Sequence, residues 1–376
     1  MNIVFISYFF GGDSPVGVGA LRIANAMAEK GCFVYVITST PYQSSNPRII
    51  VDIVSNTPKM PSNLSFTVSN LLKKELNYIS WELKAKRLLR RIIHGHKIDG
   101  IYTRSTPICV CPVGIYVKKH YQLPLIMHFT DPIPAPIGWA PNPKYRKRMI
   151  KQMKEYVQMA DCLSFGNSRM INYQERILNM PLQERSFVSP DPAAGSFVWL
   201  DSNKKNQDKV TLLFLGNIYG NRNPSLLFKA LSSITTSSFR FIIYGNSFPG
   251  APSYVEFRPR TNTIYRALQE ADVLVDIDGD DEIPVFVSSK LKDYLSVNRP
   301  ILSITPDNSP SRDLLMRLKT VELSSNSSDS VKESLLRIIN ANYTEKDYEE
   351  RIPIVQSFSA QSIAQEIINQ IKNVIE

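Results

Sequence analysis

The segment with the clearest chemical potential in this chain is Ser288-Ser289-Lys290-Leu291-Lys292-Asp293-Tyr294-Leu295. Ser288 or Ser289 suits a helix N-cap, which puts Lys290 in the first turn, where the helix dipole disfavours a cation unless an anion binds beside it. Asp293, one turn on and on the same side, is placed to accept hydrogen bonds from a ribose. Upstream, Phe214-Leu215-Gly216-Asn217-Ile218-Tyr219-Gly220-Asn221-Arg222-Asn223-Pro224 reads as a strand, a glycine-containing loop and a helix start. There Arg222 and the free amides suit a diphosphate, the alternative being a solvated surface cation.

The first half offers a second glycine loop, Gly11-Gly12-Asp13-Ser14-Pro15-Val16-Gly17-Val18-Gly19. It is not a dinucleotide fingerprint, because Arg22 stands at the third glycine position and no acid ends the next strand, and no G-x-x-x-x-G-K-[ST] occurs anywhere. Gly17 and Gly19 admit two readings, an anion cradle at a helix N-terminus or a tight turn. Farther on, Leu125-Ile126-Met127-His128-Phe129-Thr130-Asp131-Pro132 places His128 and Asp131 at a strand's carboxyl end, the edge at which open α/β sheets bind ligands. The acidic run from Asp276 to Glu282 lacks the calcium-loop spacing, and His94-Gly95-His96 reads as a helix terminus, so no metal site is expected.

These residues need elements to hold them. Short apolar runs at 3–7, 33–38, 100–103, 124–128 and 162–166 are separated by helical patterns, as in a parallel sheet buried on both faces. The basic periodic segment 70–97 is one such helix, 144–159 another. After the polar stretch 201–208 the alternation restarts at 210–215, continues through 239–244, 272–277 and 300–304, and ends in an amphipathic helix over 362–374. The prediction is α/β: two tandem Rossmann-like doubly wound domains, residues 1–200 and 209–355, with 356–376 as a terminal helix packing back on the first domain. Two such sheets facing each other would make a cleft.

Composition agrees with a globular chain: 376 residues, 43% hydrophobic and 21% charged, with no apolar run of the roughly 18 residues that crosses a bilayer. Neither a secreted nor a spanning protein is expected. The four cysteines, Cys32, Cys109, Cys111 and Cys162, are too few for a disulfide scaffold and point to a reducing cytosol. Residues 1–200 carry 24 basic against 12 acidic side chains, so the net charge of +10 belongs to the first half. Much of it lies in Lys84-Ala85-Lys86-Arg87-Leu88-Leu89-Arg90-Arg91 and Lys144-Tyr145-Arg146-Lys147-Arg148, basic amphipathic helices of the kind that meet an anionic membrane surface, or else solvated faces. Nucleic acid is not the expected partner, for no binding signature or aromatic interleaving is present.

On these residues the chain resembles the family-4 retaining glycosyltransferases of GT-B fold, over nearly its whole length. The opening strand, glycine loop and Arg22 helix resemble the family's start. Gly216 to Pro224 resembles its diphosphate loop, with Asn217 where an arginine is usual and Arg222 where a lysine is usual. Ser289-Lys290-x-x-Asp293-Tyr294-Leu295 before Arg299-Pro300-Ile301-Leu302 resembles its "S-K-x-x-E-Y" variant ahead of "G-x-P-I-L". Of the family's two glutamates, separated by seven intervening residues, Asp293 matches the second, whereas the first falls on Val285, with Glu282 the nearest acid. The resemblance implies transfer of a sugar with retention, from a nucleotide-sugar donor held by Gly17, Gly19, Asn217, Arg222, Ser289, Lys290 and Asp293. His128, Asp131 and Glu282 are the candidate catalytic residues, and Arg222 and Lys290 stand in for a metal, so no cofactor is needed. It further implies a glycan or glycolipid acceptor at the cytoplasmic face of a membrane, whose anionic surface the basic helices meet. A nucleotide-sugar 2-epimerase of the same fold, or a non-catalytic homologue, is the alternative.

Overall fold

The computed structural model describes residues 1–12, 14–56, 76–193, 196–201, 209–218, 222–234, 239–248, 250–261, 263–279 and 281–376. They form two compact units, Met1–Pro192 with Ala360–Glu376, and Ala193–Ser359.

In the first unit the chain runs β1 (Asn2–Ser7), α1 (Pro15–Glu29), β2 (Phe33–Thr38), β3 (Ile49–Ile53), α2 (Ile79–Gly95), β4 (Gly100–Arg104), α3 (Cys111–Tyr121), β5 (Leu125–Phe129), α4 (Pro143–Met159), β6 (Cys162–Phe165), α5 (Ser168–Leu178) and β7 (Ser186–Val188). The seven strands lie in the order β3-β2-β1-β4-β5-β6-β7, and every pairing is parallel. Parallel strands require crossover helices, which cover both faces and leave β1, β4 and β5 almost wholly buried. Helix α1 starts where Ser14 accepts the Gly17 amide at 3.1 Å and Pro15 presets the first turn. Its small residues Ala20, Ala24 and Ala28 share a core with the last helix's Ile363, Ala364, Ile367, Ile368 and Ile371. A Cβ on Gly100 would lie 2.6 Å from Ile371, so that glycine sets how closely the last helix approaches the sheet.

The second unit runs β8 (Val210–Leu215), α6 (Ser225–Ser232), β9 (Phe239–Tyr244), β10 (Val255–Arg258), α7 (Ile264–Gln269), β11 (Val273–Ile277), α8 (Lys290–Leu295), β12 (Ile301–Ile304), α9 (Pro310–Leu315), β13 (Val321–Ser324), α10 (Ser328–Asn340), α11 (Glu345–Glu349) and α12 (Ile352–Ser357); α13 (Ala360–Ile375) then returns to the first unit. Its six parallel strands are ordered β10-β9-β8-β11-β12-β13. Alternate residues of β8 feed opposite cores: Leu212 and Phe214 on one face, Leu213 and Leu215 on the other.

The units divide at Pro192, eight residues before the expected end of the first domain. Leu200 and Asn298 exchange two hydrogen bonds, at 2.7 and 3.0 Å, and Val198 bridges Val297, so the stretch after Pro192 already belongs to the second unit. The polar stretch expected to link the domains lies, at 202–208, outside the described residues. Helix α2 begins at Ile79; positions 70–75 of the longer helix expected there are likewise outside them.

Candidate functional site

In the second unit the carboxyl ends of β8 and β11 meet the start of α8 around Lys290. This lysine is only 8% exposed, and its ammonium stands 4.5 Å over the Phe214 ring. A Cβ on Gly216 would lie 3.2 Å from the lysine's Cε, and Gly216 also has φ +106°, so both space and backbone require glycine there. Two sets of hydrogen bonds brace the helix that carries the lysine and the segment just after it. The Leu215 amide donates to Tyr294 Oη at 2.8 Å, one turn beyond Lys290, and at the far end fully buried Arg351 donates to the carbonyls of Val297, Arg299 and Thr320 at 2.8 to 2.9 Å. With no carboxylate among these partners, burial pulls Arg351 down to about 9.

Two carboxylates act on the lysine. Asp276 is fully buried; its Oδ2 accepts from Ser303 Oγ at 3.1 Å and its Oδ1 has no partner. Asp278 accepts from Thr305 Oγ1 at 3.0 Å, and burial first, then the Asp276 charge, pushes its carboxyl upward. Burial pulls Lys290 down to about 8; Asp276 opposes this and the Arg222 guanidinium adds to it. Among the described residues Lys290 forms no ion pair within 4 Å. An ammonium so placed pays most of its desolvation cost uncompensated, which an arriving anion would offset.

At the same edge of the first unit, β4 and β5 end in a buried polar group of a different kind. Arg104 is completely buried; its Nη2 meets Asp191 at 2.6 Å while Nε and Nη1 lack partners. His128, 1% exposed, has Nδ1 2.9 Å from Ser164 Oγ and an unpartnered Nε2. Burial, with the Arg104 charge second, drives its pKa down to about 3, so the ring is neutral over the working pH range. A neutral imidazole can hydrogen-bond a hydroxyl but cannot supply positive charge. Asp131 stands exposed just beyond the strand end.

No family model matches the sequence, and no curated protein sequence matches it. Solved structures do match along the whole length. A glycosyltransferase from Rickettsia africae ESF-5 superposes with a TM-score of 0.68 at 11% identity, covering 100% of this chain and 98% of its own. Anabaena Alr3699/HepE, solved in complex with UDP-glucose, gives 0.65 at 13% identity, covering 99% and 100%. The lipopolysaccharide outer core galactosyltransferase WaaB in its apo form gives 0.64 at 14% identity, covering 99% of each chain. The fold is GT-B.

Within the GT-B chain the residues expected to hold a donor are distributed unevenly. Lys290, Arg222 and the Asp276/Asp278 pair act on one another electrostatically. Ser289 is the exposed N-cap of α8 and makes no side-chain cap bond, and Asp293 is half-buried in the first turn. Asn217 Oδ1 accepts from the Asn246 amide and from Arg260 Nε, both at 3.3 Å, so it ties two loops together. Gly245 reinforces that junction, for a Cβ there would sit 2.2 Å from the Gly216 carbonyl oxygen. Tyr219, Gly220 and Asn221 lie outside the described residues. Glu282 is exposed, and Val285, at the family's first glutamate position, is 2% exposed. In the first unit the Gly17 amide is taken by Ser14 and its Cβ position lies 2.2 Å from the Gly11 carbonyl oxygen, so Gly17 closes a turn; Gly19 borders Asp191 and Arg104. All four cysteines are free and buried.

Sequence reasoning overlooked Arg104, Asp191 and Arg260, and took Asp276 and Asp278 only as members of an acidic run. A signal was available for two of them. Arg104 ends a strand that is otherwise uncharged, and Asp276 interrupts the apolar run of β11, positions where a charge is costly unless it has a task.

Proposed function

We propose that this protein is a glycosyltransferase, of family-4 type, that moves a sugar from a nucleoside-diphosphate sugar to a glycan or glycolipid acceptor with retention at the anomeric carbon. The observation that carries this reading is Lys290: a buried cation with no ion pair among the described residues, held by glycine, aromatic and helix at the carboxyl edge of a parallel sheet. Lys290 and Arg222 neutralise the charge that develops on the leaving diphosphate, and no metal is called on. Asp293 takes the ribose. His128 gives the sugar a neutral hydrogen-bonding partner, with Asp131 and Glu282 as the candidate carboxylates to be tested. Support comes from similar structures whose names include a galactosyltransferase and a complex with UDP-glucose. The first unit receives the acceptor, and the cations of α2 and α4 bring it to an anionic membrane at the cytoplasmic face, each well-placed Lys or Arg contributing about 1 kcal/mol. No described helix is long and apolar enough to cross a membrane.

A thermal-shift series with UDP, GDP and dTDP tests the donor assignment. One of them should raise the melting temperature, since a ligand at 100 times its Kd adds about 2.7 kcal/mol, and Lys290→Ala should abolish the rise. No shift with any of the three would count against the reading. Conversion of a nucleotide sugar without acceptor would favour the epimerase instead.

A further inference from the structure

On the outer side of the first unit's sheet, α2, α3 and α4 enclose a groove of about 1030 Å³. Its floor is aliphatic and aromatic: Ile108, Pro112, Ile115 and Tyr156. Along one wall Lys144, Lys147, Lys151 and Lys154 recur at helical spacing, a stripe about 15 Å long on α4. Among the described residues none of these four has a carboxylate partner. Of the other groove cations, Lys119 pairs with Glu155 at 3.3 Å, Lys86 pairs with Glu82, and the Arg148 guanidinium lies 5.5 Å over the Tyr145 ring.

Two neighbouring features narrow the choice of occupant. A second hollow of about 590 Å³ shares Ile108 with the groove and reaches Asp131 and Trp139. Trp139 is 40% and Ile137 61% exposed, so large apolar side chains stand in solvent beside the amino end of the lysine stripe. Exposed tryptophan and aliphatic groups next to lysines with apolar stems suit the boundary between lipid tails and headgroups. A soluble acidic glycan would meet the lysines and gain nothing from the aliphatic floor; an uncharged lipid would do the reverse.

We propose that this groove seats the lipid that carries the acceptor. Its phosphate rests on the Lys144 to Lys154 stripe and its hydrocarbon chain lies along Ile108, Pro112 and Ile115, which directs the acceptor end to the hollow at Asp131. The proposal rests on the reading that the first unit receives the acceptor. It goes beyond diffuse attraction to a charged surface, because it requires one lipid per chain and an apolar contact.

Isothermal titration with farnesyl phosphate tests it. One molecule should bind per chain, with inorganic phosphate and farnesol each at least tenfold weaker. The double variant K147E/K151E should lose at least tenfold in affinity, and so should Pro112→Glu, which charges the floor at a half-buried first-turn position that tolerates glutamate. Both should keep the nucleotide-induced thermal shift. Inorganic phosphate binding as tightly as farnesyl phosphate, an unchanged affinity in folded Pro112→Glu, or tighter binding of a sulfated oligosaccharide would each overturn the proposal. Intact farnesyl phosphate binding with no nucleotide response would instead remove the transferase reading and leave the groove assigned.

Discussion

Among the described residues each unit buries one cation at the carboxyl edge of its sheet, Arg104 in the first and Lys290 in the second, and the two are treated differently. Arg104 lies 2.6 Å from Asp191, a carboxylate supplied by its own unit, so most of its charge is answered before any ligand arrives. Lys290 sits over an aromatic face with its carboxylates farther off, and its ammonium is left weakened to about 8. A cation matched internally orders its surroundings, whereas one left short is available to an anion. Under the proposed function, the contrast gives Arg104 a structural part and Lys290 the part of anion binder.

Exchanging the two losses is the strongest way to break that assignment. Lys290→Ala should lower turnover about 10²- to 10³-fold, as removal of a single transition-state donor does, and leave the melting temperature at neutral pH unchanged or raised, since the desolvated ammonium is gone. Arg104→Met should do the opposite. It removes the buried partner of an ion pair whose carboxylate keeps 29% of its exposure, so the cost falls toward the lower end for broken pairs, about 2 kcal/mol, read from denaturant unfolding. A turnover loss in Arg104→Met larger than in Lys290→Ala would reverse the assignment.

The next test uses pH. With Lys290 lowered from 10.5 to about 8, the unfolded chain binds more protons than the folded one between these values, so this residue's contribution to stability is present above pH 10.5 and is lost as pH falls through 8. A diphosphate reverses the preference by holding the proton on. Nucleoside diphosphate affinity should therefore drop, approaching tenfold per pH unit, above about pH 8. Asp276 acts to raise the lysine's value, so Asp276→Asn should move the drop to lower pH. An affinity flat between pH 7 and 9.5 in isothermal titration would separate Lys290 from the ligand.

How much of this was legible beforehand follows from where each residue sits. The strands β1, β2, β5, β8, β9 and β11 are predominantly apolar runs because both faces are covered, and that announces them even where His128, Arg240 or Asp276 intervenes. The flanking strands β3, β7, β10 and β13 went unread. They lie at or near the sheet margins, keep part of their surface in water, and accept Asp52, Glu256, Arg258 or Glu322, which breaks the apolar signal. Helix α3 was also missed, since its proline and β-branched residues give no clean helical period. The site divides the same way. Lys290 and Arg222 were legible from their places at loop and helix starts. The pairing of Arg104 with Asp191, 87 residues apart, was not, because they meet only where the chain beyond β7 passes back along α1 beside Gly19 and Arg22.

His128 provides a smaller test of the first unit as a neutral polar site. Its folded value, about 3, lies below its ordinary 6.5, so stability from this group is complete above pH 6.5 and drains away as pH falls toward 3. His128→Gln should flatten the acid side of the melting curve against pH, with little change at pH 7.5. An acid limb identical to the parent's would mean that the ring is solvated and free to protonate.

The smallest single effect should come from Gly19, and its contrast with Gly17 discriminates between the two readings of that loop. Alanine at Gly17 would place a methyl group 2.2 Å from a backbone oxygen, which cannot swing aside, so Gly17→Ala should cost about 1–3 kcal/mol as an overpacked site does. At Gly19 the nearest atoms to an added Cβ are 3.5 Å away, an ordinary contact, and the position lies inside a helix where alanine is favoured over glycine by about 1 kcal/mol. Gly19→Ala should therefore be neutral or slightly stabilising. If Gly19 has a ligand role, that substitution would leave the melting temperature alone yet weaken nucleotide or acceptor binding; if both measurements are unchanged, the pair serves as a turn and an ordinary helical position, and the comparison of the two edges rests on the cations alone.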